Sequence, residues 1–364
     1  MSTSQLYWAV GAIALALLYQ LYSYTRLSSH HSQKPLKISQ ILVYPIKSLR
    51  PTQLTSALAT QYGFLHDRVF MLLKVTPDGR ENMAISKFPE MSRFLTSMHL
   101  DESGNGFVKV TFHLVGNSNH LRTLEIPLSP DVENLQDIEI NLEGSPTKAL
   151  QMQDTVNKWF SECFGYEVVM AFLGDNKRGT RFQDMLAPAP APNTWLPSIL
   201  LKKPASPQSK SLTFADCAPY LVVSATSLDD VSSRLPDGQE MDVTKFRPNI
   251  VLSGASKAWE EDYWRCIKIW DTELVMMHNC VRCKSINVDY ETGDFGTGDS
   301  GQVLKKLQKD RRVDTGAKWS PVFGRYSFWS SNNKSAVQKL RVADEVRVIE
   351  VNEQRTTWSK MPVS

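Results

Sequence analysis

The residue with the most evident chemistry is Cys283, in the run Cys280-Val281-Arg282-Cys283-Lys284-Ser285-Ile286-Asn287-Val288-Asp289. Arg282 and Lys284 flank it. Cationic neighbours favour the thiolate, and the thiolate is the form that binds a soft metal. Cys280 and Cys283 make a CxxC pair, but a lone one. Structural zinc asks for four protein ligands; no second CxxC or paired histidine lies nearby, and His278 alone is insufficient. A redox CxxC opens a helix after a strand, whereas Ile286 to Asp289 reads here as a strand. A pair of inert cysteines is the ordinary reading of such a run, and single-cysteine metal ligation is the sharper one.

Other residues fit an anionic ligand. Arg247 and Asn249 flank Pro248 just before the apolar run Ile250-Val251. Arginine offers a planar fork to a phosphate, and asparagine offers donor and acceptor to a heterocycle. Lys47-Ser48 ends a strand-like run, Val43-Tyr44-Pro45-Ile46, and Asp67-Arg68 is a further acid–base pair. Each alone is an ordinary surface turn. Asp294-Phe295-Gly296 matches a kinase triplet, but no glycine-rich loop or His-Arg-Asp motif accompanies it.

The elements that must position these groups are short and mostly β. Runs 38–46, 69–75, 108–115, 123–128 and 137–142 read as strands separated by turn residues, which suggests a small barrel or sandwich. Thr147 to Phe164 has helical spacing, with Leu150, Val156, Trp159 and Phe160 as its apolar set. Run 166–173 is another strand. The segment 187–210 holds Pro188, Pro190, Pro192, Pro197, Pro204 and Pro207 and reads as a linker or large loop. Beyond it, 220–223, 249–252, 266–270, 274–277 and 346–351 read as strands, with a helix capped at Ser224 or Thr226 and running to about Leu235.

The chain has 364 residues, 42% hydrophobic and 22% charged, as in globular proteins. Its net charge of +3 gives no argument for nucleic-acid binding. Five cysteines in this length do not make a secreted disulfide framework, so the compartment reads as reducing. Leu6 to Tyr22 is interrupted only by Gly11 and Gln20, and its 17 residues are at the short limit for a membrane-spanning helix. Tyr7, Trp8, Tyr19, Tyr22 and Tyr24 sit near its ends. Arg26, Lys34 and Lys37 follow it, which places the C-terminal part in the cytosol. The expected organisation is therefore an anchor and linker (1–36), an N-terminal β-barrel domain (37–186), a proline-rich linker (187–210), a second β-barrel domain (211–352) and a tail (353–364).

Taken in order, these motifs resemble the MOSC-domain family, and within it the membrane-anchored molybdenum enzymes that reduce amidoximes. The segments that carry the resemblance are Val43 to Ser48, Asp67-Arg68, Phe246 to Val251, Val281-Arg282-Cys283, Val288 to Gly293 and Ser320 to Tyr326. The implied fold class is α+β and β-rich, with a MOSC N-terminal β-barrel-like domain before the MOSC barrel and a transmembrane anchor ahead of both.

The resemblance also implies a molybdenum–pterin (molybdopterin) cofactor with Cys283 as catalytic residue and metal ligand. Lys47, Ser48 and Arg68 would contact the pterin or its phosphate, and Arg247 and Asn249 would hold the cofactor from the other side. Val281, Arg282 and Tyr326 would add contacts. Cys217 and Ala218 fall where relatives often carry hydroxyls, so only backbone contacts would survive there. The implied reaction is reduction of N-hydroxylated compounds with electrons from NADH through cytochrome b5 reductase and cytochrome b5. The chain has no dinucleotide fingerprint or haem-attachment motif of its own. Lys177-Arg178 with Arg181, or Lys202-Lys203, offers a surface for an acidic donor, with ordinary solvated loop charges as the alternative for each. The implied location is the mitochondrial outer membrane or the endoplasmic reticulum, with the catalytic part in the cytosol. A membrane-tethered cofactor carrier without reductase activity is the alternative.

Overall fold

The strand Leu36–Val43 organises the molecule, a computed structural model that describes residues 35–114, 121–180, 206–236 and 238–358. Ile38, Ile41 and Val43 of this strand are buried, and it pairs with three others. Seven strands, β1 to β7 in chain order, close into a barrel: Leu36–Val43, Tyr220–Ser224, Ile250–Ser253, Trp264–Ile269, Thr272–Val281, Val322–Trp329 and Glu345–Val351. Around the barrel the order is β1-β3-β2-β6-β5-β4-β7. Strand β1 closes the ring, with Ile41 opposite Ile250 of β3 and Leu36 opposite Val346 of β7. The β2–β3 pair is parallel and the other ring pairs are antiparallel. Closure leaves the ring no free edge.

The N-terminal region adds a five-stranded antiparallel half-barrel built from Gln136–Leu142, Ser145–Gln151, Val168–Phe172, Phe70–Thr76 and Gly79–Asn82. A three-stranded sheet of Phe94–Leu100, Gly106–His113 and Leu121–Pro127 accompanies it. One apolar cluster runs through both regions, joining Ile41, Val222, Ile250 and Leu274 of the barrel to Phe70, Phe94, Val108, Phe160 and Met170. Burial of that continuous surface is what fixes the two regions against each other.

Three α-helices are described: Asp154–Phe164 (α1), Ala225–Ser232 (α2) and Val303–Gln308 (α3). The helix expected over 147–164 is therefore only half right. Ser145–Gln151 is a strand, paired residue for residue with Gln136–Leu142 across a turn whose central residues, Glu143 and Gly144, both have positive φ. That turn geometry suits the twist of a hairpin, and the pairing overrides the helical spacing. Helix α1 begins only at Asp154 and ends at Gly165 in the left-handed conformation.

The expected strand Ile286 to Asp289 is also corrected. A 3-10 turn, Lys284–Asn287, comes first, and the strand is only Val288–Asp289. The proposed anchor, Leu6 to Tyr22, lies outside the described residues, as do 187–205 of the proline-rich segment, Val115, Arg181 and Lys202-Lys203. No helix among the described residues is long and apolar enough to cross a membrane.

Candidate functional site

The site forms where β1, β2, β5 and β6 end beside the half-barrel. Its frame is a set of buried polar side chains that fasten loops together. Asp67 accepts from the backbone N–H of Tyr44 (2.9 Å) and from Nδ2 of Asn249 (3.1 Å), and it pairs with Arg68. Arg68 also donates to Oδ1 of Asn249 and to the Arg247 carbonyl, both at 3.2 Å. Asn249 completes its set with Leu42 O and the Leu221 N–H. Asn249 is thus fully engaged in joining β1 to β2 and β3. Ser48, Arg68 and Arg247 all have φ between 53° and 70°, a conformation that costs a non-glycine residue free energy. Three such residues in the segments that frame one cleft show that its loops are held against their local preference.

Tyr44 is fully buried between two guanidiniums, Arg68 at 4.6 Å and Arg247 at 4.4 Å from its ring centre. Arg247 donates through Nη1 to Leu49 O (2.9 Å), while its Nη2 and the Tyr44 hydroxyl are buried without a partner. Burial pushes the Tyr44 hydroxyl well above its ordinary range and draws Arg247 down.

A second anchor holds the loop 213–218. Arg178, 1% exposed, donates to the carbonyls of Thr213 (2.9 Å), Ala215 and Asp216 (2.8 Å). This corrects the expectation that Lys177-Arg178 forms a docking patch: Arg178 is consumed inside the fold. Lys47 is buried too, donating to Phe214 O (2.9 Å) and pairing with Asp216. Burial draws Lys47 down, with Asp216 opposing. For Asp216, burial works against the charge, but Lys47, Arg68 and Arg178 outweigh it and hold the carboxyl far below the usual range.

Strand β5 delivers the cysteine. Its pairing with β6 is irregular between Met276 and His278 and again between Asn279 and Val281, and such bulges re-aim the end of a strand. Gly324 makes this possible on β6: at φ 84°, a Cβ there would sit 2.7 Å from Cγ1 of Val223. Arg282 is buried, its guanidinium taken up by the carbonyls of Phe246 (2.7 Å) and Phe323 (2.6 and 3.0 Å). Cys283 follows it into the open. It is exposed, its Sγ lies 3.2 Å from Oγ of Ser285, and it caps the 3-10 turn Lys284–Asn287.

Cys280 and Cys217 are buried, and burial raises both thiols. Tyr326, half-buried beside both, works against that rise. Both CxxC cysteines border one cleft, but Cys280 is buried and packs against an apolar cluster beneath β5, whereas Cys283 is exposed.

That cleft is lined by Arg68, Ala218, Arg247, Asn249, Val281, Arg282, Cys283 and Tyr326 among the expected residues. Lys47 and Ser48 do not reach its wall. Lys47 acts through Asp216, and Ser48 sits in the turn between the buried Ile46 and Leu49. Cys217 packs behind the wall with Ala317 and Trp358. Reading the sequence gave no role to Asp216, Lys245 or Ser285, which also line the cleft, or to Asp67, and it gave Arg178 a docking role where the fold has it brace the 213–218 loop. Asp67 is next to Arg68 and Asp216 directly precedes Cys217, so both neighbour residues the sequence already marks. Lys245 and Arg178 carry no local signal. Among the described residues Lys245 makes no ion pair, and burial draws its ammonium down, with Asp242 and Asp289 opposing.

A MOSC domain family model matches residues 209–347, and a MOSC N-terminal beta barrel domain model matches residues 36–167. The molybdenum cofactor sulfurase of Oryza sativa subsp. japonica is 28% identical over 77% of this chain, which covers 31% of that protein. The mitochondrial amidoxime reducing component 2 of Rattus norvegicus is 27% identical over 85% of this chain and 82% of its own length. The mitochondrial amidoxime-reducing component 1 of Danio rerio is 26% identical over 79% of each. Two adjoining family models that together span both barrel regions, and relatives similar over most of the length, make the chain a member of the MOSC-domain family.

Proposed function

We propose that this chain is a molybdenum-cofactor oxidoreductase that reduces N-hydroxylated compounds such as amidoximes and hydroxylamines. The observation that carries the reading is the exposed Cys283 thiol in a cleft that also holds Arg247 and Lys245. The cleft fits an anionic pterin. The buried Tyr44 hydroxyl and Arg247 Nη2 lack partners, and such atoms are costly unless something binds them. Among the described residues, no group of three or more His, Cys, Asp and Glu is arranged around a metal. A metal held by Cys283 would thus take its remaining ligands from a non-protein group.

In this reading the two-electron redox change that removes the hydroxyl oxygen as water is supplied by the bound cofactor. The chain does the rest. Cys283 would be the protein's ligand to the metal, and the Ser285 hydroxyl lies 3.2 Å from its sulfur. Arg247 and Lys245, which line the cleft, would hold the anionic part through charge-assisted hydrogen bonds. The Asp67–Arg68–Asn249 frame keeps Arg247 in place. Phe246, Val281 and Tyr326 give the cleft an apolar wall that limits water. Electrons would come from outside the chain, from cytochrome b5 reduced by cytochrome b5 reductase and NADH. Residues 6–22 would tether the protein to a membrane, the mitochondrial outer membrane in keeping with the names of its relatives.

The similarity to the sulfurase supports a second reading, a tethered cofactor carrier that uses the same site without turnover. Cofactor-loaded protein assayed with reduced cytochrome b5 and benzamidoxime separates the two. Turnover in the wild type and its loss in a folded Cys283→Ser variant supports the reductase. Bound molybdenum and pterin with no turnover supports the carrier. Full activity in Cys283→Ser ends the ligand assignment.

A further inference from the structure

Beyond β7 the chain stays against the barrel. Asn352 donates its backbone N–H to Tyr263 O (2.8 Å), and Arg355 pairs with the buried Asp262 (2.8 Å). The segment then reaches Asn279 of β5, four residues before Cys283. Asn279 is fully buried and stands at the second irregularity of the β5–β6 pairing. A bulge disrupts the ladder locally, so the polar groups of the strand there need other partners. The C-terminal segment supplies them. Asn279 Nδ2 donates to Thr356 O (2.8 Å), and the indole Nε1 of Trp358 donates to Asn279 O (3.1 Å). Arg325 of β6 ties the two together, donating to Asn279 Oδ1 (2.6 Å) and to Thr356 Oγ1.

Trp358 does more than close that bond. It is buried with Cys217 and Ala317, and Val281 and Tyr326 pack against the same cluster. Its ring lies 5.1 Å from that of His278 and 6.4 Å from that of Tyr326. Val281 and Tyr326 line the cleft, so the indole backs its wall. The seat is close: Asp314 Oδ1 accepts the Trp358 N–H (3.0 Å), and a Cβ at Gly316 would lie 1.6 Å from Trp358 O. We infer that Trp358 is a positioning residue for the cofactor site. It clasps the bulged end of β5 through Asn279 O and so fixes where Val281, Arg282 and Cys283 lie. The inference rests on the cofactor site proposed above and adds to it a segment beyond the last barrel strand. An indole supplies both bulk and a hydrogen-bond donor; phenylalanine supplies the bulk alone.

The test uses cofactor-loaded full-length protein, with Trp358→Phe beside Val108→Ala, a cavity variant at a buried position that does not line the cleft. Trp358→Phe is expected to lose molybdenum and pterin about fivefold faster than the wild type after gel filtration, roughly the effect of one hydrogen bond. Val108→Ala keeps the wild-type rate. Gly316→Ala displaces the segment without changing the indole and is expected to follow Trp358→Phe. A wild-type rate in Trp358→Phe, or equal acceleration in Val108→Ala, overturns the proposal. The cofactor-free proteins give a second readout, labelling of Cys280, the residue after Asn279, by N-ethylmaleimide, mapped by mass spectrometry. Labelling about fivefold faster in Trp358→Phe and unchanged in Val108→Ala supports the clasp; equal labelling in these two variants overturns it. If the wild type retains neither molybdenum nor pterin, the cofactor reading fails, and Cys280 labelling alone decides whether Trp358 holds β5.

Discussion

The Arg247 guanidinium lies 4.4 Å from the centre of the Tyr44 ring, and each residue ends in a buried polar atom with no partner. An unsatisfied buried polar atom costs free energy, and Arg247 also lines the cleft. Tyr44→Phe removes one such atom. The cofactor-free protein is expected to gain about 1 kcal/mol in urea unfolding, because an unsatisfied hydroxyl leaves the interior. The same variant is expected to retain several-fold less pterin, read by fluorescence after release. A variant that loses stability and keeps full pterin would show that the hydroxyl serves the fold instead.

The two cysteines of the CxxC pair should separate cleanly. Cys280 is packed in an apolar cluster with Leu42, Val251 and Phe323. Cys280→Ala is expected to cost about 1 kcal/mol through a small cavity and to leave molybdenum content intact. Loss of metal in that variant, measured by elemental analysis, would make Cys280 a ligand as well.

Arg178 is expected to be among the costliest single positions near the site. Arg178→Met leaves the Thr213, Ala215 and Asp216 carbonyls without their donor, a loss of about 3 kcal/mol. Arg178→Lys should recover only part, since an ammonium cannot reproduce a planar fork. Urea midpoints of the three proteins check the order.

Glu261 provides a pH signature away from the cleft. Its Oε2 accepts from Ser227 (2.7 Å), its Oε1 is unpartnered, and burial, with Asp262 adding to it, lifts the carboxyl from 4.5 to about 7. The folded state therefore holds this proton more tightly than the unfolded state. Between pH 4.5 and 7 the folded protein binds more protons, so the stability this group contributes is full below pH 4.5 and is lost as pH rises to about 7. The amplitude is about 3 kcal/mol. Glu261→Gln should flatten the difference in unfolding free energy across that window. A variant with the wild-type slope would remove Glu261 as its origin.

Several features were legible because they depend on local chemistry. A thiol between Arg282 and Lys284, Arg247 and Asn249 around a proline, and short alternating strands need no partner to be noticed. Local spacing failed where strand pairing outweighed it: 147–151 belongs to the run whose apolar spacing is helical, and the hairpin with Gln136–Leu142 makes it a strand. It failed again at Ile286, where the 3-10 turn after Cys283 replaced the expected strand.

What the sequence shows is local: a thiol flanked by Arg282 and Lys284, because residue type and immediate neighbours are properties of the chain itself. Tertiary structure alone decided which groups are free to act. Asn249, Arg282 and Arg178 are chemically able to bind an anion, yet the fold uses them to satisfy buried backbone and carboxylate groups. Lys245 and Asp216 look ordinary in sequence and face the cleft. The reason is that a buried polar group must be paired by something, and which partner reaches it is set by barrel closure across about two hundred residues of chain, from β1 at Ile41 to β3 at Ile250.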